Sequence, residues 1–225
     1  IALVEGDKSF TYSEVHLRAH LFASGLLAGT SDLNEERIAF FLPASINYVT
    51  AMHGVWRAGG IAVPLNVASA VMELEHYLSC ASVTRLIANP ESQKTLEPLC
   101  RKLGITLLSV EEVMASTTAE LPVVSEDRRA MILFTSGTTN KPKGVVSTHK
   151  TIHAQITTLI KAWEWRTDDV IPLFLPLHHI HGIVNILSCG LWAGATVHLF
   201  AKFDIPLITD QVSSGIYNVF MAVPT

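Results

Sequence analysis

The sequence predicts an α/β fold: mainly parallel sheets flanked by helices. Three observations carry that reading. Short apolar runs alternate with longer amphipathic segments over most of the chain. The apolar runs are continuous, as in strands covered on both faces. Pro or Gly stands at several of the changeovers, where helices and strands stop.

The elements follow in order. Arg37 to Leu42 is read as a buried strand ending at Pro43, and Asn47 to Arg57 as a helix stopped by Gly59-Gly60. Ile61 to Leu65 is a second strand. Val71 to Cys80 is a helix with Val71, Leu74 and Leu78 at helical spacing. Thr84 to Ala88 (strand), Ser92 to Leu103 (helix) and Ile105 to Ser109 (strand) continue the rhythm. After a polar stretch come Ala130 to Phe134 (strand), Thr151 to Trp163 (helix), Val170 to Leu175 (strand) and His181 to Leu191 (helix). Thr196 to Leu199 (strand), Ile205 to Ser213 (helix) and Asn218 to Ala222 (strand) complete the series. The polar stretch has Pro122 and little periodicity. Residues 116–129 either link two lobes, 1–115 and 130–225, or form a surface connection within one.

Composition narrows the function. The chain has 225 residues, 49% hydrophobic and 16% charged, enough apolar material for a core and too much for global disorder. Sixteen basic against 20 acidic side chains give a net charge of −4, with no overall basic field for nucleic acid. Cys80, Cys100 and Cys189 are odd in number and far apart. They predict neither a disulfide framework nor a cysteine zinc site, and they suggest a reducing, intracellular compartment. Residues 170–200 contain no Asp, Glu, Lys or Arg, but Pro172, Pro176, Gly182, Gly190, Gly194 and four His interrupt them. That stretch is read as buried core, and no membrane span is expected. No segment specifies an oligomeric state.

The chemistry is concentrated where the strand Ala130 to Phe134 runs into Thr135-Ser136-Gly137-Thr138-Thr139-Asn140-Lys141-Pro142-Lys143-Gly144. Four hydroxyls, two glycines and two lysines suit a polyphosphate. Glycine lets backbone N–H groups approach an anion, and Lys adds charge-assisted hydrogen bonds. A Walker loop is excluded. Counted from Gly137, its second Gly is replaced by Pro142, and Gly144 stands where the Mg²⁺-binding hydroxyl belongs.

Thr135 to Gly144 resembles the phosphate-binding signature of the adenylate-forming enzymes, T-S-G-[ST]-T-G-x-P-K-G, with one departure at Asn140. Asn tolerates left-handed backbone angles better than most residues, so the loop shape is expected to persist. Phe10 to Val15, Trp56 to Asn66 and Leu175 to Gly182 resemble further family segments in the family's order. Trp163-Glu164-Trp165, Asp168 to Ile171, the double His at 178 and 179, and Asn218 to Thr225 narrow the likeness to malonyl-CoA synthetases, including the mitochondrial form.

The resemblance implies part of the large N-terminal AMP-binding domain of an ATP-dependent acyl-CoA synthetase, with ATP, Mg²⁺ and coenzyme A as cofactor and co-substrates. The partner is a small carboxylate, best matched by malonate or a related short dicarboxylate. Another acyl-CoA synthetase of short- or medium-chain type, or a non-catalytic nucleotide-binding module of the same fold, remains the alternative. It implies that residues 135–144 hold the ATP phosphates, with Lys143 catalytic and Mg²⁺ near Thr138. It also implies that His179 walls the acyl pocket. The expected compartment is the cytoplasm in a bacterium or the mitochondrial matrix in a eukaryote. Family chains are more than twice this length. The 225 residues are therefore expected to be a fragment, inactive alone, with an apolar cut face. His178, His179 and His181 lie at i, i+1, i+3 in a Pro/Gly turn, a spacing that does not converge on a metal, so no resident metal is expected there. His16, His20, His76, His149 and His153, on helical segments, are read as surface or satisfied, and Trp56, Trp163, Trp165 and Trp192 as packing residues.

Overall fold

The computed structural model describes residues 1–135 and 142–223. They form two compact units drawn from discontinuous segments. One comprises residues 16–42 and 47–150, the other residues 1–15, 43–46 and 151–225.

The first of these units is built on a six-stranded sheet. Its strands are β3 (Arg37–Phe41), β4 (Ile61–Pro64), β5 (Arg85–Ala88), β6 (Thr106–Leu108), β7 (Arg129–Thr135) and β8 (Lys143–Thr148). Their spatial order is β6-β5-β3-β4-β7-β8, all parallel except the β7–β8 pair. Parallel neighbours need crossovers, supplied by α2 (Ile46–Arg57), α3 (Val71–Cys80) and α4 (Pro90–Leu103). Leu74 and Leu78 of α3 join Leu96, Leu99 and Cys100 of α4 in a core with Ala39, Val63, Leu86 and Ile132 from the strands. Full burial of a side chain such as Leu or Ile stabilises by about 1.5–3 kcal/mol, so this face holds the sheet. Pro90 opens α4, and Gly104, at φ +67°, ends it. In the short helix α5 (Val110–Val113), Ser109 Oγ accepts from the Glu112 amide while the Glu112 carboxylate accepts from the Ser109 amide.

Residues 116–129 therefore connect members of one sheet, from α5 to β7. Lobes at 1–115 and 130–225 do not coincide with the compact units. The reason is strand pairing: β7 bonds to β4, returning the chain to the sheet begun at Arg37.

The second unit carries a four-stranded sheet, β2-β1-β10-β9: β1 (Leu3–Glu5), β2 (Lys8–Phe10), β9 (Val170–Leu173) and β10 (Thr196–Leu199). β1 and β2 form a hairpin about Gly6 (φ +57°), and the other pairings are parallel. Between β9 and β10 lie a π-helix, His181–Ser188, and the short α7 (Cys189–Ala193). Gly190 lets α7 sit on the sheet, because a Cβ there would stand 2.7 Å from Val197 Cγ2. The remaining helices are α1 (Tyr12–Leu27), α6 (His149–Ala162) and α8 (Ile205–Ser213).

Two expectations change. The helix expected over His181 to Leu191 is π-wound for its first eight residues, and the Ser188 hydroxyl donates to the Ile183 carbonyl five residues back at 2.7 Å. Asn218 to Ala222 is not a strand. The Asn218 side-chain oxygen accepts the Val170 amide at 2.7 Å, and the 218 and 219 amides both turn to the Val170 carbonyl, so no ladder propagates along β9. Among the described residues no helix is long and apolar enough to cross a membrane.

Candidate functional site

The polyphosphate candidate sits on the β7–β8 hairpin. β7 is buried from Ala130 to Leu133 and surfaces at Thr135, where the apolar run ends. The pairing sets Thr135 opposite Lys143 and Phe134 opposite Gly144, and both Thr135 and Lys143 are exposed. Ser136, Gly137, Thr138, Thr139, Asn140 and Lys141 lie outside the described residues. A hydroxyl and an ammonium thus flank the loop across the hairpin, a donor set suited to phosphate oxygens.

What supports the hairpin comes from α3. Tyr77 packs its ring on Phe134 with centroids 4.4 Å apart, and His76 meets the same ring at 6.3 Å. The Nε2 of His76 lies 2.8 Å from the Pro142 carbonyl oxygen. Gly144 gives this cluster room: a Cβ there would lie 3.0 Å from Ile132 Cγ2 and 3.5 Å from the Phe134 ring. Burial, with the Glu73 charge, raises the Tyr77 phenol above its ordinary value against a lowering hydrogen bond from Ser69. The partial burial of His76 had no local sequence signal, since its partner is 66 residues away.

The histidine turn belongs to the other unit. The amide of His179 donates to the Pro176 carbonyl at 3.3 Å, and the Ile183 amide donates to the His179 carbonyl at 3.1 Å. The His178 and His179 rings stand 4.2 Å apart. His178 is half-buried, and burial, followed by its histidine neighbour, pushes it down to about 4, so it is neutral at pH 7. His179 is exposed. Gln155 Nε2 donates to Asn185 Oδ1 at 2.7 Å, which turns the Asn185 amide nitrogen toward His181 Nδ1 at 3.5 Å. The other nitrogen of His181 is buried with no hydrogen-bond partner among the described residues. Sequence reasoning missed Gln155 and Asn185, which lie on separate helices. The described residues hold no group of three His, Cys, Asp or Glu side chains placed for a metal.

Arg57 reaches the rings of His16 and His20, and His20 Nε2 also contacts the Ala119 carbonyl at 2.9 Å. His149 packs edge-on against Trp56, while its Nε2 is buried with no partner among the described residues. The Trp56 indole donates to the Ala130 carbonyl at 2.7 Å, tying the Trp56 to Asn66 segment to the strand that leads into the hairpin.

Known proteins resemble this chain along its whole length. The mitochondrial malonate–CoA ligase of Homo sapiens is 39% identical over 239 residues, covering all of this chain and 42% of that protein. Its Bos taurus counterpart is 38% identical, again over the whole chain and 41% of the relative. The ATP-bound crystal structure of MatB from Rhodopseudomonas palustris superposes with a TM-score of 0.88 at 26% identity, covering 98% of this chain and 46% of that one. The chain thus spans less than half the length of each of these three relatives. The profile of the AMP-binding enzyme family matches residues 1–225 throughout, and the chain belongs to that family.

Proposed function

We propose that the complete protein carrying these residues is an ATP-dependent carboxylate–CoA ligase acting on malonate or a related short dicarboxylate. The observation that carries the reading is the match of the whole chain, at 38–39% identity, to two mitochondrial malonate–CoA ligases. The hairpin supports the use of ATP, as does the likeness to a MatB structure solved with ATP bound. In a eukaryote the mitochondrial relatives favour the matrix as the compartment.

The reaction runs in two steps. A carboxylate oxygen attacks the α-phosphorus of ATP, the bond to the β-phosphate oxygen breaks, and pyrophosphate leaves an acyl-adenylate. The thiol of coenzyme A then attacks the acyl carbon, AMP departs, and the thiol proton passes to solvent. Two anions must meet in the first step, so the barrier is largely electrostatic. Lys143 and Thr135 are assigned to the β- and γ-phosphates, where the ammonium offsets charge and the hydroxyl donates. With them are assigned Ser136, Gly137, Thr138, Thr139, Asn140, Lys141, Pro142 and Gly144 of the same loop. Mg²⁺, when bound with ATP near Thr138, adds charge neutralisation. His179 is assigned to the wall of the acyl pocket.

The test is pyrophosphate release by the complete protein with acetate, malonate, methylmalonate and longer monocarboxylates. The reading expects malonate or a close analogue to give the highest kcat/KM. Preference for a monocarboxylate overturns the dicarboxylate assignment, and no release with any acid overturns the ligase assignment.

A further inference from the structure

Helix α3 grips the hairpin at both of its described ends. On the β7 side the Phe134 ring is held by Tyr77 and His76, and Gly144 opens the space it occupies. On the β8 side, among the described residues, His76 Nε2 lies 2.8 Å from the Pro142 carbonyl oxygen. A carbonyl oxygen only accepts, so Nε2 of His76 carries a proton and donates, and both the neutral and the charged ring can make this bond. The Pro142 carbonyl shares a rigid peptide plane with the Lys143 nitrogen. Holding that oxygen therefore sets where the Lys143 backbone starts. The constraint matters because, among the described residues, β8 is the last strand in its sheet, with a ladder on the β7 side alone. An edge strand that must present an ammonium at a defined place needs a second restraint, and His76 supplies one from a buried-face helix.

We infer that His76 is a positioning residue, fixing the Pro142–Lys143 backbone so that the Lys143 ammonium meets the polyphosphate. The inference rests on the reading of the hairpin as an ATP site. His76 touches no reacting atom in this scheme; it acts through Lys143. Its two contributions are separable. A Phe ring keeps the packing on Phe134 and Tyr77 and removes the donor, whereas an amide side chain keeps a donor and removes the ring.

The experiment measures ATP-dependent pyrophosphate release and calorimetric ATP binding in the complete protein. It compares wild type, His76→Phe, His76→Gln, Lys143→Ala and the double variant His76→Phe with Lys143→Ala. His76→Phe is expected to raise the ATP KM by about tenfold, the scale of one lost hydrogen bond, with the carboxylate KM unchanged. His76→Gln is expected to recover most of that loss. The double variant is expected to bind ATP no more weakly than Lys143→Ala, because the two residues act in series. The pair His76→Asn and His76→Leu repeats the donor comparison without a ring, with Asn nearer wild type, so a misfolded Phe variant does not remove the test. An unchanged ATP KM in His76→Phe, or losses that multiply in the double variant, overturns the inference while the ligase reading stands. A wild-type protein that neither binds ATP nor releases pyrophosphate overturns both.

Discussion

Replacing Gly182 by Ala tests whether close packing beneath the histidine turn serves the acyl site. Gly182 is the second residue of the π-helix, directly after His181, and is buried. A Cβ built on it would stand 2.7 Å from the Pro176 carbonyl oxygen and 3.2 Å from that of Leu175. Both oxygens are backbone atoms of the segment leading into His178 and His179, and neither can swing aside as a flexible side chain would. The segment must withdraw by at least about 0.5 Å, and overpacking of this kind costs about 1–3 kcal/mol. At about 2–4 °C per kcal/mol for a chain of this size, the unfolding midpoint falls by about 2–12 °C. The same withdrawal moves His179. A misplacement of about 1 Å can cost about a hundredfold in rate, so half that displacement predicts about a tenfold fall in kcat/KM for the carboxylate. The assay is pyrophosphate release by the complete protein at saturating ATP with malonate varied, alongside calorimetric unfolding. A Gly182→Ala protein with wild-type midpoint and wild-type malonate kcat/KM refutes the packing argument.

Four further outcomes are expected. Lys143→Ala lowers ATP-dependent pyrophosphate release at least about tenfold, the scale of one charged contact, and near-normal release removes Lys143 from the site. His179→Ala raises the carboxylate KM strongly, and an unchanged KM ends its assignment to the acyl pocket. Gly59→Ala destabilises by about 2–4 kcal/mol in urea denaturation, combining left-handed strain with a disturbed ion pair: Gly59 has φ +79°, and a Cβ would stand 2.2 Å from Asp32 Oδ1, whose carboxylate is clasped by Arg128. A loss below about 0.5 kcal/mol would show that the clasp relaxes freely. Burial, with the Arg57 charge adding to it, pushes His53 from 6.5 down to about 4. Protonation therefore favours the unfolded chain. The stability involved is complete above about pH 6.5 and is lost as pH falls toward 4, by about 1–3 kcal/mol after allowance for the ring's partial exposure. His53→Phe should flatten the urea midpoint between pH 7 and 4.5, and equal slopes in the two proteins would count against it.

Much of the α/β frame was legible because its signals are local. Val71–Cys80, Thr196–Leu199 and Ile205–Ser213 fall where spacing, Pro and capping residues put them. The β1–β2 hairpin and α1 escaped notice for different reasons. The hairpin strands have three residues each, too short for periodicity. In α1 the buried positions Val15, Ala19, Phe22, Ala23 and Leu26 do recur at helical spacing, a signal present in the sequence and not used. The π-winding of His181–Ser188 is not marked by the apolar spacing, which reads equally well as an α-helix. At the candidate site, the chemistry of Thr135 and Lys143 was readable as composition. The clamp from His76 was not, because a hydrogen bond to a backbone carbonyl across 66 residues leaves no trace in the sequence around either partner.

The most direct trial of the account is a crystal structure of the complete protein with a non-hydrolysable ATP analogue. The account predicts β- and γ-phosphate oxygens within hydrogen-bonding distance of Thr135 Oγ1 and Lys143 Nζ, with the His76–Pro142 bond intact. A triphosphate seated elsewhere, with both of those groups turned to solvent, would contradict it.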